Sequence, residues 1–166
     1  IMIYNNPVDY GIEVTIPMFD ELLKTDTIQA VKESTRLTSN ITKLRNTFGN
    51  RLAILTGVDT IAFESLMLGA DGWVAGLVDA FPRETVEIYN LVKQGHFDRA
   101  KVINNWFMPL LELDVNSKLV QNIKLAAMAT GIGTEHVRLP RLPLYGLERQ
   151  NVLKVINQSI ENRPQL

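Results

Sequence analysis

The 166 residues contain no cysteine. That excludes disulfides and thiolate metal sites, and it fits a reducing, cytoplasmic setting. Histidine is scarce as well: His96 and His136 are the only two, far apart in sequence, so no metal site is expected. The charges nearly cancel, with 17 Lys and Arg against 18 Asp and Glu for a net charge of −1. No basic surplus is available for phosphate backbones, and nucleic acid is not an expected partner. Apolar runs are far too short to span a bilayer, so no membrane partner is expected either. The opening Ile1-Met2-Ile3-Tyr4 lacks the basic stretch and cleavage pattern of a secretion signal. It starts directly in a strand without an initiator methionine and reads as the interior of a longer protein. Among ten glycines, no Gly-x-Gly-x-x-Gly follows an apolar strand, which leaves a dinucleotide site unsupported.

What is present is ordinary in bulk and informative in order. Hydrophobic residues make up 46% and charged residues 21%, values of a globular protein. Short apolar runs alternate with amphipathic ones over the first hundred residues. Strands are expected at Ile1–Tyr4, Ile28–Lys32, Leu52–Thr56 and Gly72–Leu77. Helices are expected from Pro17 to Lys24, Asn40 to Phe48, Ile61 to Leu68, and from Pro82 until Gly95 stops it. Thr38 or Ser39 is placed to cap the second helix, and Asp59 or Thr60 the third. Strand–helix repeats of roughly 20–28 residues indicate a parallel sheet with helical crossovers, the pattern of a (β/α) barrel. Four repeats make half of an eight-stranded barrel. Beyond them the chain reads as helical: Phe97–Leu113 with Pro109 expected to kink or divide it, then Leu119 to Ala127, then a last helix with Val152, Val155, Ile156 and Ile160 inward. The expected organisation is a half-barrel over residues 1–95 and a C-terminal helical extension over 96–166, packed on the barrel or on another subunit.

Two residues stand out chemically. Tyr4 closes the first strand and Lys32 the second, about one strand–helix repeat apart. If the two strands are parallel neighbours, the phenol and the amine meet at one edge of the sheet. Read singly, a strand-end lysine is most often a solvated charge, and a tyrosine is most often a core aromatic with a satisfied hydroxyl. Together, an amine beside a phenol suits imine (Schiff-base) chemistry on a 2-oxo acid. A lysine amine attacks a carbonyl only when neutral, and burial disfavours the ammonium. The protonated imine is an electron sink that acidifies the neighbouring carbon, and a phenol can carry the proton. The bland readings of other residues stand: Asp59 as a helix cap before a substrate ligand, Glu33 as a supporting carboxylate, Trp73 and Trp106 as packing groups, and Gly131-Ile132-Gly133 as a helix terminator.

Tyr4-Asn5-Asn6-Pro7, Val31-Lys32-Glu33-Ser34, Thr56-Gly57-Val58-Asp59 and Gly69-Ala70-Asp71-Gly72 leading into Val74-Ala75-Gly76 together resemble the C-terminal half of the dihydrodipicolinate synthase / N-acetylneuraminate lyase family of class I aldolases. The resemblance covers essentially the whole chain. It implies barrel strands five to eight followed by extra helices, an imine-forming Lys32, a proton-relaying Tyr4, and a substrate pocket lined by Ser34, Gly57, Asp59 and Gly76. It also implies a small 2-oxo or imino acid substrate, no cofactor, and a homo-oligomer, dimer or tetramer. Two departures matter. The arginine that dihydrodipicolinate synthases carry five residues after the tyrosine is replaced by Asp9, which speaks against lysine biosynthesis. The family's Gly-Thr-Thr-Gly-Glu carboxylate-binding motif belongs to the N-terminal half and is absent, so this segment alone is not expected to form a complete active site. The Tyr4-Asn5-Asn6-Pro7…Tyr10-Gly11 wording, with Ile123-Lys124-Leu125-Ala126 and the segment Arg138 to Leu144, is similar to a narrower branch. That branch holds 2-keto-3-deoxy-L-arabonate dehydratases and 1-pyrroline-4-hydroxy-2-carboxylate deaminases, both of which make 2-oxoglutarate semialdehyde; the deaminase is the preferred expectation. The competing expectations are a dehydratase or aldolase of 2-keto-3-deoxy sugar acids, and a non-catalytic half-barrel that serves assembly.

Overall fold

The structure, a computed structural model, describes every residue except Ala75. Its contacts divide into two compact units, Ile1–Val74 and Ala75–Leu166.

Four short strands carry the first unit: β1 (Met2–Asn5), β2 (Ala30–Glu33), β3 (Ala53–Thr56) and β4 (Gly72–Trp73). They pair in parallel in the order β1-β2-β3-β4. Parallel neighbours require crossovers. These are α1 (Pro7–Tyr10) and α2 (Ile16–Leu22) after β1, α3 (Ser39–Phe48) after β2, and α4 (Ala62–Met67) after β3. This is the expected α/β half-barrel, with element ends shifted by one or two residues. Pro17 starts α2 where a missing N–H costs nothing. Thr38 sits at the N-cap of α3, but its side chain makes no capping bond there. For α4 the N-cap is Ile61, because Asp59 and Thr60 are taken up in a preceding 3-10 turn.

Alternation along the strands sorts the two faces of the sheet. Val31 and Ile54 are fully buried, while their neighbours Lys32 and Leu55 are half-buried. The buried face packs with Ile41 and Leu44 of α3. Phe19 of α2 lies against Phe48, ring centroids 6.2 Å apart. Each such side chain contributes about 1.5–3 kcal/mol through burial. At the N-terminal edge of the sheet, Arg51 donates to the carbonyls of Leu23, Thr25 and Ile28. Asp71 accepts there from both Arg45 and the Ile54 amide, at 2.6 and 2.7 Å.

The fourth strand is shorter than expected. Pairing stops with Thr56↔Trp73 and one further bond from the Val74 amide to the Thr56 carbonyl at 2.9 Å. β3 has ended by then, so the chain has no ladder left to follow. Ala75, inside the expected strand, lies outside the described residues, and Leu77–Ala80 forms a 3-10 turn.

The second unit contains α5 (Pro82–Lys93), α6 (Phe97–Leu111), α7 (Leu119–Ala129) and α8 (Gly146–Glu161). Gly95, at φ +79°, separates α5 from α6. Its amide reaches the Val92 carbonyl and the His96 amide reaches that of Leu91, a paired closure that satisfies the last carbonyls of α5. Pro109 does not divide α6, which runs on to Leu111. The carbonyl that Pro109 leaves without a donor belongs to exposed Asn105, where water can take it. Phe81, Trp106 and Phe107 pack with centroids 5.3–5.9 Å apart. The Trp106 indole donates to the Ser159 carbonyl at 2.9 Å and so ties α6 to α8. Among the described residues, no helix is long and apolar enough to cross a membrane.

One charge in this unit is buried. Glu84, at the start of α5, is 1% exposed and accepts from Nε and Nη2 of Arg163, whose guanidinium also lies 5.6 Å from the Phe81 ring. Burial raises the Glu84 pKa, but the hydrogen bonds and charge of Arg163 outweigh it and hold the carboxyl below the usual carboxylate range. A depressed carboxylate contributes stability above its unfolded pKa of about 4.3 and loses it as the pH falls through the lower folded value. R163A leaves an uncompensated buried charge and should cost about 3 kcal/mol at pH 7. Urea unfolding should show that penalty shrinking as the pH falls toward the folded pKa of Glu84.

Candidate functional site

The register places Tyr4 opposite Lys32, Lys32 opposite Leu55, and Leu55 opposite Gly72. These residues form one row on the less buried face of the sheet. The next row, Asn5, Glu33, Thr56 and Trp73, faces the other way. The amine and the phenol expected to meet do so: Lys32 Nζ lies 4.3 Å from the centroid of the Tyr4 ring, over its face. That geometry attracts a cation.

Ser34 and Gly57 join them. Both follow their strands by the two-residue period that keeps them on the same face as Lys32. A β-carbon added at Gly57 would come within 2.7 Å of Lys32 Cε and Cγ and would collide with Ser34 Oγ. Only a glycine therefore lets the end of β3 approach the lysine stem this closely. The Ser34 hydroxyl is buried, and its oxygen has no hydrogen-bond partner among the described residues. A buried hydroxyl left in this condition costs about 1–3 kcal/mol, and it is a ready donor for an incoming oxygen or nitrogen.

Asp59 and Gly76, the other two expected lining residues, have contacts of their own. Asp59 is fully buried and its Oδ1 accepts from the Trp73 indole at 3.0 Å. Trp73 is thus a hydrogen-bonding group as well as a packing one. Gly76 belongs to the second unit, where an added β-carbon would meet Ile123 Cδ1 at 2.6 Å and the Asp114 carboxylate.

Three polar residues beside the pair were not singled out as site residues from the sequence. Behind the site, Asn5 Nδ2 donates to Glu33 Oε2 at 2.9 Å, and the other carboxylate oxygen accepts from the Thr35 amide at 2.8 Å. The Asn5 carboxamide also accepts from the Val14 amide at 2.9 Å, which holds the segment after α1 against the sheet. These bonds clamp β1 to β2 one residue beyond Tyr4 and Lys32. In front, Asn6 Nδ2 donates to the Tyr4 hydroxyl oxygen at 2.8 Å and to Asp9 Oδ2 at 2.6 Å. Tyr10 sets its ring edge-on to Tyr4, centroids 5.7 Å apart. The sequence signal for these residues was their position inside the Tyr4-Asn5-Asn6-Pro7 and Lys32-Glu33 runs. What it lacked was the register that shows which polar groups share a face.

A cavity of about 120 Å³ lies beside Asn5 and Glu33, with Glu13, Asn40 and Lys43 in its walls. It opens on the face opposite Lys32, so the amine does not serve it. Among the described residues, no three or more His, Asp or Glu side chains are grouped to hold a metal ion.

Comparison with known proteins matches this geometry to one family. The profile of the dihydrodipicolinate synthetase family aligns with residues 1–159. A 4-hydroxy-tetrahydrodipicolinate synthase of Pelodictyon phaeoclathratiforme is 28% identical over 163 residues, covering 98% of this chain and 54% of the relative. The crystal structure of dihydrodipicolinate synthase from Aquifex aeolicus superposes with a TM-score of 0.86 at 24% identity, covering 95% of this chain and 54% of that one. A sialic acid aldolase of Ruminococcus gnavus, solved as a catalytic lysine mutant, has the same fold with a TM-score of 0.82 at 20% identity, covering 97% of this chain and 55% of that one. The chain spans about half the length of the curated relatives it matches. The architecture is accordingly a barrel half followed by C-terminal helices, and with the profile running nearly end to end the chain belongs to the dihydrodipicolinate synthetase family.

Proposed function

We propose that this chain carries the imine-forming lysine and the proton-carrying phenol of an enzyme acting on a small 2-oxo acid or cyclic imino acid. The observation that supports this reading is the position of Lys32 Nζ over the Tyr4 ring, with the unpartnered Ser34 hydroxyl and Gly57 beside it. Lys32 Nζ adds to the substrate C2 carbonyl, and loss of water leaves a protonated imine. Loss of a C3 proton gives an enamine, with Tyr4 carrying protons between nitrogen, carbon and the departing oxygen. A hydroxyl on C4 then leaves as water, and hydrolysis of the imine frees the product and the lysine. Ser34 and the main chain at Gly57 offer contacts to substrate oxygens. Asp59 is held in the loop after β3 by its bond to the Trp73 indole.

For the substrate, we favour deamination of 1-pyrroline-4-hydroxy-2-carboxylate. Lys32 exchanges with the ring imine and frees the ring nitrogen as an amine on C5. The hydroxyl departs as water, proton shifts move the new double bond from C3=C4 to C5=N, hydrolysis there releases ammonia, and hydrolysis at Lys32 releases 2-oxoglutarate semialdehyde. One water is lost and two are taken up, for a net consumption of one. Asp9 supports this choice. Its carboxylate lies one hydrogen-bonded side chain from the Tyr4 hydroxyl, where a second substrate carboxylate would be repelled and a hydroxyl or protonated nitrogen accepted. The synthase names of the relatives in the comparison describe those proteins.

Three outcomes are expected with the full-length protein. Borohydride added with pyruvate should reduce an adduct onto Lys32, visible by mass spectrometry and lost in K32A; an unmodified Lys32 would overturn the reading. G57A, which displaces the lysine stem, should slow adduct formation by about 100-fold, the usual effect of a misplacement near 1 Å. Ammonia release should be faster from the cyclic imine than conversion of a 2-keto-3-deoxy sugar acid, and the reverse order would reassign the substrate.

A further inference from the structure

Amide side chains are ambiguous in direction, but Asn6 is not. Its oxygen accepts from the Asp9 backbone N–H at 3.3 Å, and its nitrogen meets the Asp9 carboxylate oxygen at 2.6 Å. Turning the amide over would set an N–H against an N–H and an oxygen against a carboxylate. Asp9 thus fixes the orientation from two sides. Asn6 itself is only 5% exposed. The second hydrogen of the same NH₂ group then has one destination, the Tyr4 hydroxyl oxygen at 2.8 Å. The phenol oxygen is consequently an acceptor toward Asn6, and its own hydrogen must take another direction.

We propose that Asn6 is a positioning residue for proton transfer: its amide, locked by Asp9, occupies a lone pair of the Tyr4 hydroxyl and leaves the phenol proton for the substrate rather than for the protein. This rests on the reading of Tyr4 as the proton carrier and deepens it. Without Asn6 the hydroxyl is free to rotate and to donate its hydrogen to a neighbouring acceptor, of which the Asp9 carboxylate is the nearest candidate along this chain of bonds. With Asn6 in place its NH₂ group stands between the phenol oxygen and that carboxylate. The edge-on ring of Tyr10 restrains the Tyr4 ring itself, so the hydroxyl direction is the remaining freedom that Asn6 removes.

The test uses the full-length protein with pyruvate as probe and reads two events separately. Borohydride trapping reports imine formation at Lys32. Deuterium exchange at the pyruvate methyl group, followed by proton NMR, reports proton transfer at C3. Two variants remove the donor differently. N6S keeps a hydroxyl able to cap the Asp9 N–H but is too short to reach Tyr4, and N6D keeps the shape but offers the phenol only an acceptor. Both should lower the maximal exchange rate by about 10- to 100-fold, with N6D the more severe. The pyruvate KM and the final yield of trapped adduct should stay within about threefold of the parent, since a hydrogen bond to the proton carrier does not act on binding. Exchange at the parental rate in either variant would overturn the proposal, as would a parallel loss of trapping and exchange in N6S, which would mark Asn6 as structural. Failure of the underlying reading looks different: the parent protein would not be trapped on Lys32, or Y4F would exchange as fast as the parent.

Discussion

Parallel pairing of β1 with β2 in one register is the constraint on which the site depends. Tyr4 faces Lys32 across that ladder, and the neighbouring pair, Asn5 and Glu33, faces the opposite way. A slip of one residue would turn the phenol or the amine into the helix layer and bring a carboxylate or an amide to the front. The Asn5–Glu33 hydrogen bond closes the ladder at this point, and the same Asn5 carboxamide binds the Val14 backbone. Buried polar residues on the structural face therefore hold the chemical face in line. A buried carboxylate that receives an amide and a backbone N–H is well satisfied, and replacing either partner by an apolar group would leave the other exposed to the low dielectric of the interior.

Close approach is the second ingredient. The three groups next to Lys32 are an aromatic face, a hydroxyl without a partner and a glycine that takes no room. The ring tolerates a cation, the hydroxyl awaits an acceptor, and the bare glycine backbone lets the lysine stem lie against it. By contrast, polar groups one layer away, in Asn6, Asp9, Asn5 and Glu33, are committed to one another. Such a contrast between a rigid surround and an open centre is the physical form of preorganisation.

Much of this arrangement was legible in the sequence. The strand–helix alternation, the four parallel strands and the meeting of Tyr4 with Lys32 follow from apolar periodicity and from spacing of about one repeat. Ser34 came from the motif and proved to sit on the lysine's face. The errors have local causes. The fourth strand is short because its partner ends at Thr56, which no property of residues 72–77 reveals. Pro109 was expected to kink or divide α6, and it does not divide the helix: the carbonyl it leaves lies at an exposed position, where the cost is small. Asp59 binds the Trp73 indole across a loop, a contact fixed by tertiary packing. The roles of Asn5 and Asn6 depend on side-chain direction and on register together, and neither can be read from the order of residues.

The bond between Glu84 and Arg163 joins positions 79 residues apart. Helix α5 leaves the ribosome long before its counter-ion exists. Until Arg163 is made, the Glu84 carboxylate has to remain hydrated, so the buried end of α5 cannot settle into its final environment while residues 85–162 are being synthesised. Closing so long a loop carries an entropic cost that grows only slowly with length, which makes late capture affordable. The helical unit is in this sense sealed late, and the timing of synthesis is written into where that single arginine stands.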